Sequence, residues 1–215
     1  GIQNDRIQAI LEADVVPRLV ALLKPSKSRN VSVSVQSAAL QVIGNVACGD
    51  DRQTQVIIDC DALPCLKALL SSNDRGIRKE VCWISSNITE SSHQVQAVLD
   101  AGILPPLLKL LESQDSACRE DATWVLYNIS SNHDMRQISY LAEQHGIRAL
   151  CNLLTCAKDL DVLWKGCGTV AAVALKGLRN ILAAGQQEAI ADANGYNRMA
   201  ALVAEAHGVE RIEAL

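Results

Sequence analysis

The stretch "IIDCDALPCLKALL" (57–70) decides how the rest of the chain reads, because its pattern occurs four times. Its counterparts are "ILEADVVPRLVALL" (10–23), "VLDAGILPPLLKLL" (98–111) and "LAEQHGIRALCNLL" (141–154). Each begins with an apolar segment, breaks at a small or turn-forming residue, and closes on a second apolar segment ending Leu-Leu. Pro17, Pro64 and Pro105 take the same slot, filled by Arg148 in the fourth copy. Proline suits the first turn of a helix, where its missing N–H has no partner to lose. The pattern predicts two helices joined by a tight turn, repeated along the chain.

A longer third segment follows each copy and ends on asparagine. These segments are "SAALQVIGN" to Asn45, "KEVCWISSN" to Asn87, "EDATWVLYN" to Asn128 and "VALKGLRN" to Asn180. The asparagines lie 42, 41 and 52 positions apart, the last interval holding an insertion around "CAKDLDVLWKGCGT" (156–169). Short polar linkers separate the helices: "PSKSRN" (25–30), "SSNDRG" (71–76) and "ESQDS" (112–116). The Val-Ser alternation of "KSRNVSVSV" (27–35) reads as an extended linker, and "YNRMAALVAEAHGVERIEAL" (196–215) as a partial capping repeat. Three helices on a period of about 42 residues is the armadillo pattern. The expected fold is all-α: one right-handed superhelical armadillo-repeat solenoid over 1–215, with about five repeats including partial ends. No triplet can bury its apolar face alone, so neighbours must stack.

Composition agrees. Hydrophobic residues make up 49% of the 215, but aromatics only 3%, so the core is aliphatic. The eight cysteines (48, 60, 65, 82, 118, 151, 156 and 167) form no C-x-x-C pair and lie mostly among Val, Leu and Ala. They read as buried, reduced thiols, not as zinc ligands or disulfides. His93, His133, His145 and His207 sit beside turn-like stretches without metal spacing. No apolar run is long enough for a membrane span. A net charge of −4 argues against a nucleic-acid partner and for a protein or peptide, a cationic one included. The opening residue is Gly1, which points to a piece of a longer or processed protein.

The third helices carry the chemistry. "EVCWISSNITE" (80–90) and "DATWVLYNISS" (121–131) each place a tryptophan four residues before an asparagine: Trp83 with Asn87, and Trp124 with Asn128. Residues four apart share a helix face. In a solenoid, equivalent positions line up, so an indole column is expected beside a carboxamide column. The plainer alternative has the rings in the core and the asparagines at helix ends. Asparagine offers a donor and an acceptor, enough to hold an extended peptide backbone without reading its side chains. Neighbouring indoles form slots for Lys or Arg stems, each cation–π contact contributing roughly 0.5–2 kcal/mol. Glu80 and Asp121, three residues before each Trp, could catch the charged heads, with Asp50 and Asp51 of "CGDD".

At "GNVACGDDRQTQVIIDCDALPCL", "IRKEVCWISSNITE" and "GIRALCNLLT" the chain resembles importin-α, the adaptor that carries nuclear localisation signals. The resemblance runs essentially end to end and corresponds to the C-terminal half of that family's armadillo domain. It implies shuttling between cytoplasm and nucleus, no cofactor, and the minor signal-binding site, which takes the smaller basic cluster of a bipartite signal. By this resemblance Asn45, Asn87 and Asn128 would clamp the peptide backbone, and Trp83 and Trp124 would sandwich basic side chains. Ser86 and Asp121 would help hold an Arg. Ala47, Cys48, Asp51 and Thr54 would line a neighbouring Lys pocket, and Glu80 would add an acidic contact. Importin-β would bind through a segment absent from this chain, and an export receptor would contact the last repeats. Departures are Gln41 where the family usually has Arg, Cys48 for Thr, Glu120 for Lys and Asp121 for Glu.

Other classes fit less well. A catenin-type scaffold for acidic tails should line its groove with Lys and Arg. Arg78, Lys79 and Arg119 are near the ladder, but so are Glu80, Asp121, Asp50 and Asp51. RNA-reading repeats need recurrent stacking and polar triplets. For an enzyme, there is no nucleophile–base set or phosphate loop. "GCG" (166–168) and "NGYN" (194–197) are turn-like and too short to mean more.

Overall fold

The computed structural model describes residues 2–24, 31–112, 116–132, 134–155, 167–191 and 195–214, and every regular element among them is a helix. The chain divides into two compact units, residues 1–107 and 108–215. The first holds α1 (Ile2–Glu12), α2 (Val16–Leu23), α3 (Val33–Ala47), α4 (Asp51–Asp59), α5 (Leu63–Leu69), α6 (Arg75–Glu90) and α7 (Ser92–Asp100), and ends within α8 (Leu104–Glu112). Like helices stack: α1 on α4, α2 on α5 and α3 on α6. On α6, Ile77, Val81, Ile84 and Ile88 are fully buried at spacings of four, three and four, the stripe a packed helix needs. Each such side chain stabilises the fold by about 1.5–3 kcal/mol.

The second unit holds α9 (Ser116–Ser131), α10 (Met135–Glu143), α11 (Gly146–Leu154), α12 (Cys167–Ala191), α13 (Arg198–Glu205) and α14 (Gly208–Glu213). Here α9 stacks on α12, and α11 on α14. Its core is as aliphatic as composition requires, with Val125, Leu126 and Ile129 of α9 buried alongside Val173, Leu178 and Ile181 of α12. Among the described residues no helix is long and apolar enough to cross a membrane.

The tight turn between the first two helices of each repeat is a single left-handed residue. It recurs at Asp14 (φ 49°), Asp61 (62°), Gly102 (69°), His145 (66°) and His207 (54°). Gly, Asp and His are residue types that visit this region at least cost. His145 and His207 are therefore exposed on turns, as expected, and His93 is exposed near the start of α7. His133 lies outside the described residues.

Two readings change. The linker expected through Val35 stops short: Ser32 Oγ accepts from Val35 N at 3.4 Å, so Val33–Val35 form the first turn of α3. Residues 27–30 of that stretch lie outside the described residues, as does 156–166 of the insertion. Cys167 and Gly168, expected in a turn, open α12. The capping repeat is present as α13 and α14. Its entry is fixed by Asn197, whose Oδ1 accepts from Ala200 N (3.0 Å) while Nδ2 donates to Leu182 O (3.1 Å).

Two buried amides tie first helices together, which periodicity does not reveal. Gln53, 6% exposed, donates from Nε2 to Asn4 O at 3.3 Å. Gln94, 2% exposed, donates to Asp51 O at 2.8 Å. In each case a glutamine near the start of one first helix holds a main-chain carbonyl at the start of the one before it.

Candidate peptide-binding site

In the first unit, α3 and α6 lie side by side and bring the predicted residues to one area. Trp83 is half-buried because its six-membered ring lies against α3 at Gly44. A methyl group at Gly44 would overlap ring atom Cζ3 and stand 2.9 Å from Cε3. Only glycine leaves room for the indole there, a requirement the sequence reading missed. Asn87, one turn along α6 from Trp83, is half-buried too, and its Nδ2 donates to Cys48 Sγ at 3.2 Å. Asn45 is exposed on α3 and has no side-chain partner among the described residues, and Gln41 is exposed one turn before it. Ser86 donates from Oγ to Trp83 O at 2.8 Å.

The acidic residues divide by role. Asp50 is the N-cap of α4: its Oδ1 accepts from Arg52 N and Gln53 N, both at 3.0 Å, within a capping box. Its carboxylate is thus engaged by the helix. Replacing Asp50 by Ala should lower unfolding free energy by about 1 kcal/mol, measurable by urea titration. Asp51 is exposed and Glu80 half-buried, and neither carboxylate has an ion pair or hydrogen bond among the described residues. These two remain available to a cation. Arg78, a possible basic contributor, donates from Nη1 to Ser72 O (2.8 Å) and Asn73 O (3.1 Å), fastening the turn before α6.

Two predicted pocket residues sit deeper than expected. Ala47 and Thr54 are each 3% exposed, and Thr54 Oγ1 donates to Ala47 O at 3.5 Å. They lie beneath the surface and do not line it. The cysteines show the opposite departure. Cys65, Cys82, Cys118 and Cys151 are buried thiols, but Cys60 is half-buried and Cys48 exposed. Burial raises the pKa of Cys65 and Cys151 and keeps them protonated. Cys156 and the Cys167 side chain lie outside what is described.

In the second unit, Asp121, Trp124 and Asn128 are half-buried on α9. Tyr127 meets Trp124 edge-to-face, with centroids 5.3 Å apart and planes at 84°. This pair, three residues apart on one helix face, stiffens the indole. Sequence reasoning passed over Tyr127, although it occupies the slot of Gly44, just before the asparagine. Asn180 departs from its register: it is 7% exposed, and its Nδ2 donates to Ser131 Oγ at 3.1 Å. Packing of α12 on α9 makes it an internal bond, not a ligand contact. Among the described residues no three His, Cys, Asp or Glu side chains are grouped to hold a metal.

Comparison with known proteins agrees with this architecture. The armadillo/beta-catenin-like repeat model matches residues 3–48, 50–89 and 91–131, corresponding to α1–α3, α4–α6 and α7–α9. The chain is 42% identical over 216 residues to importin subunit alpha-1b of Oryza sativa subsp. japonica, and 46% identical over 217 residues to importin subunit alpha-3 of Arabidopsis thaliana. Each alignment covers 99% of this chain but only 38% of the relative's length. A designed armadillo repeat protein solved in complex with the peptide (KR)4 superposes with a TM-score of 0.80 at 30% identity, covering 99% of this chain and 78% of that one. With the repeat model matching more than half of its residues, the chain belongs to the armadillo/beta-catenin-like repeat family.

Proposed function

We propose that this chain binds extended Lys/Arg-rich peptides, as part of a nuclear import adaptor that reads localisation signals. It acts by binding and not by catalysis. The observation that carries the reading is the half-buried Trp83–Asn87 pair with the available carboxylates of Glu80 and Asp51 on the same unit. Trp124 and Asn128 repeat the pair on α9. The carboxamides would hold the peptide backbone, the indoles would take the aliphatic stems, and the carboxylates the charged heads. The likeness to importin alpha subunits and to a designed repeat protein holding (KR)4 supports the same chemistry. Shuttling between cytoplasm and nucleus, and contacts with importin-β and an export receptor, belong to the same proposal.

Calorimetry with (KR)4 and with an acidic peptide of equal length tests it. The basic peptide should bind in the micromolar range, and the acidic one not measurably. Raising salt should weaken binding by up to roughly fivefold for each exposed ion pair. Tight binding of the acidic peptide with none of the basic one would overturn the proposal in favour of a catenin-type scaffold.

A further inference from the structure

We infer that Cys48 is a positioning residue for the peptide site: the hydrogen bond from Asn87 Nδ2 to its sulfur fixes which way the Asn87 carboxamide faces. The inference rests on the peptide-binding reading above. The two residues are 39 apart in sequence, and their contact at 3.2 Å bridges α3 and α6. The sulfur does not float. Cys48 is the C-cap of α3, and its N–H donates to Gly44 O at 3.2 Å. The same residue, Gly44, receives the Trp83 ring. The α3 terminus therefore supports both halves of the Trp83–Asn87 pair.

A carboxamide without a partner can turn its oxygen and nitrogen end for end at little cost. The contact with Cys48 restricts that freedom by taking up one Nδ2 hydrogen, the sulfur acting as a weak acceptor. The Asn87 Nδ2 is thus turned toward α3. Oδ1 and the second Nδ2 hydrogen are left for a ligand: one acceptor for a peptide N–H and one donor for a peptide C=O. Asn45 makes the contrast. Its amide has no partner among the described residues and must be ordered on binding, a cost Asn87 has already met. Because Cys48 is also exposed, this support is open to thiol reagents. Addition of the sulfur across the double bond of N-ethylmaleimide forms one S–C bond and leaves the thiol proton on the adjacent carbon. The bulk added lies where the Asn87 amide rests.

The test compares Cys48→Ala, which removes the acceptor, with Cys48→Ser, which restores one. Without ligand, the Asn87 side-chain amide resonances, assigned by their loss in Asn87→Asp, should move in Cys48→Ala; in Cys48→Ser they should stay close to wild type. With (KR)4, Cys48→Ala should bind about two- to tenfold more weakly, the worth of one hydrogen bond, and Cys48→Ser within about twofold of wild type. Bound peptide should slow maleimide labelling of Cys48, followed by mass spectrometry. Partial burial, with the Glu90 carboxylate adding to it, raises the Cys48 pKa, so the labelling rate should go on rising with pH past the ordinary thiol range before it levels off. Asn87 resonances indifferent to Cys48→Ala, or unchanged affinity in that variant, would overturn the inference. Failure of the wild-type chain to bind (KR)4 would instead sink the peptide reading, while the resonances would still decide the orientation of Asn87.

Discussion

Replacing Trp83 and Asn87 together by alanine is expected to weaken (KR)4 binding on the order of a hundredfold. The double variant loses one cation–π slot and the hydrogen bonds of one carboxamide, about 3 kcal/mol together. Calorimetry gives the affinity, and far-UV circular dichroism checks the fold. The helices should remain, because the α6 core stripe of Ile77, Val81, Ile84 and Ile88 is untouched. Thermal stability should fall, since the Trp83 ring also packs on α3. Unchanged affinity in a helical double variant would remove these residues from the site.

Gly44→Ala should destabilise the chain by about 1–3 kcal/mol, as overpacking does, and weaken the basic peptide as well. The sign is the informative part. In an ordinary helix interior, exchanging glycine for alanine stabilises by about 1 kcal/mol. Here the new methyl would overlap Cζ3 of Trp83 and stand 2.9 and 3.1 Å from Cε3 and Cη2. A ring this large, held by its own packing, cannot step aside without leaving its slot. The two expectations therefore have opposite signs, and urea titration separates them. In a Trp83→Ala background the clash is gone, so Gly44→Ala should become neutral or stabilising. A stabilised Gly44→Ala variant in the presence of Trp83 would mean that the indole does not lie on α3.

The helix triplets were legible because three-helix periodicity and the recurring proline are one-dimensional signals. So was the Trp–Asn spacing, since four residues on a helix define a face without further information. What lay hidden depends on residues distant in sequence. That Gly44 must be small follows from Trp83, 39 positions later. That Asn180 is internal follows from its bond to Ser131, 49 positions earlier. Asp50 and Asp51 are indistinguishable as letters, yet one caps α4 and the other keeps its carboxylate available, because only Asp50 stands at the first non-helical position. The resemblance to a family carried Ala47 and Thr54 into a pocket by position. In the free molecule Thr54 turns its hydroxyl to the Ala47 carbonyl, and both are buried.

The glutamine bonds of the first helices make the start of one repeat in the first unit depend on the repeat that follows it. Gln53 reaches back to Asn4 and Gln94 reaches back to Asp51, so each later repeat holds the opening turn of the one already made. Helix ends fray when nothing secures them, and a chain emerging from the ribosome folds its early parts first. Each repeat would therefore stay loose at its leading edge until its successor arrives. Within the first unit, Gln53 and Gln94 would then act as two buried clasps, each closed only when the following repeat packs.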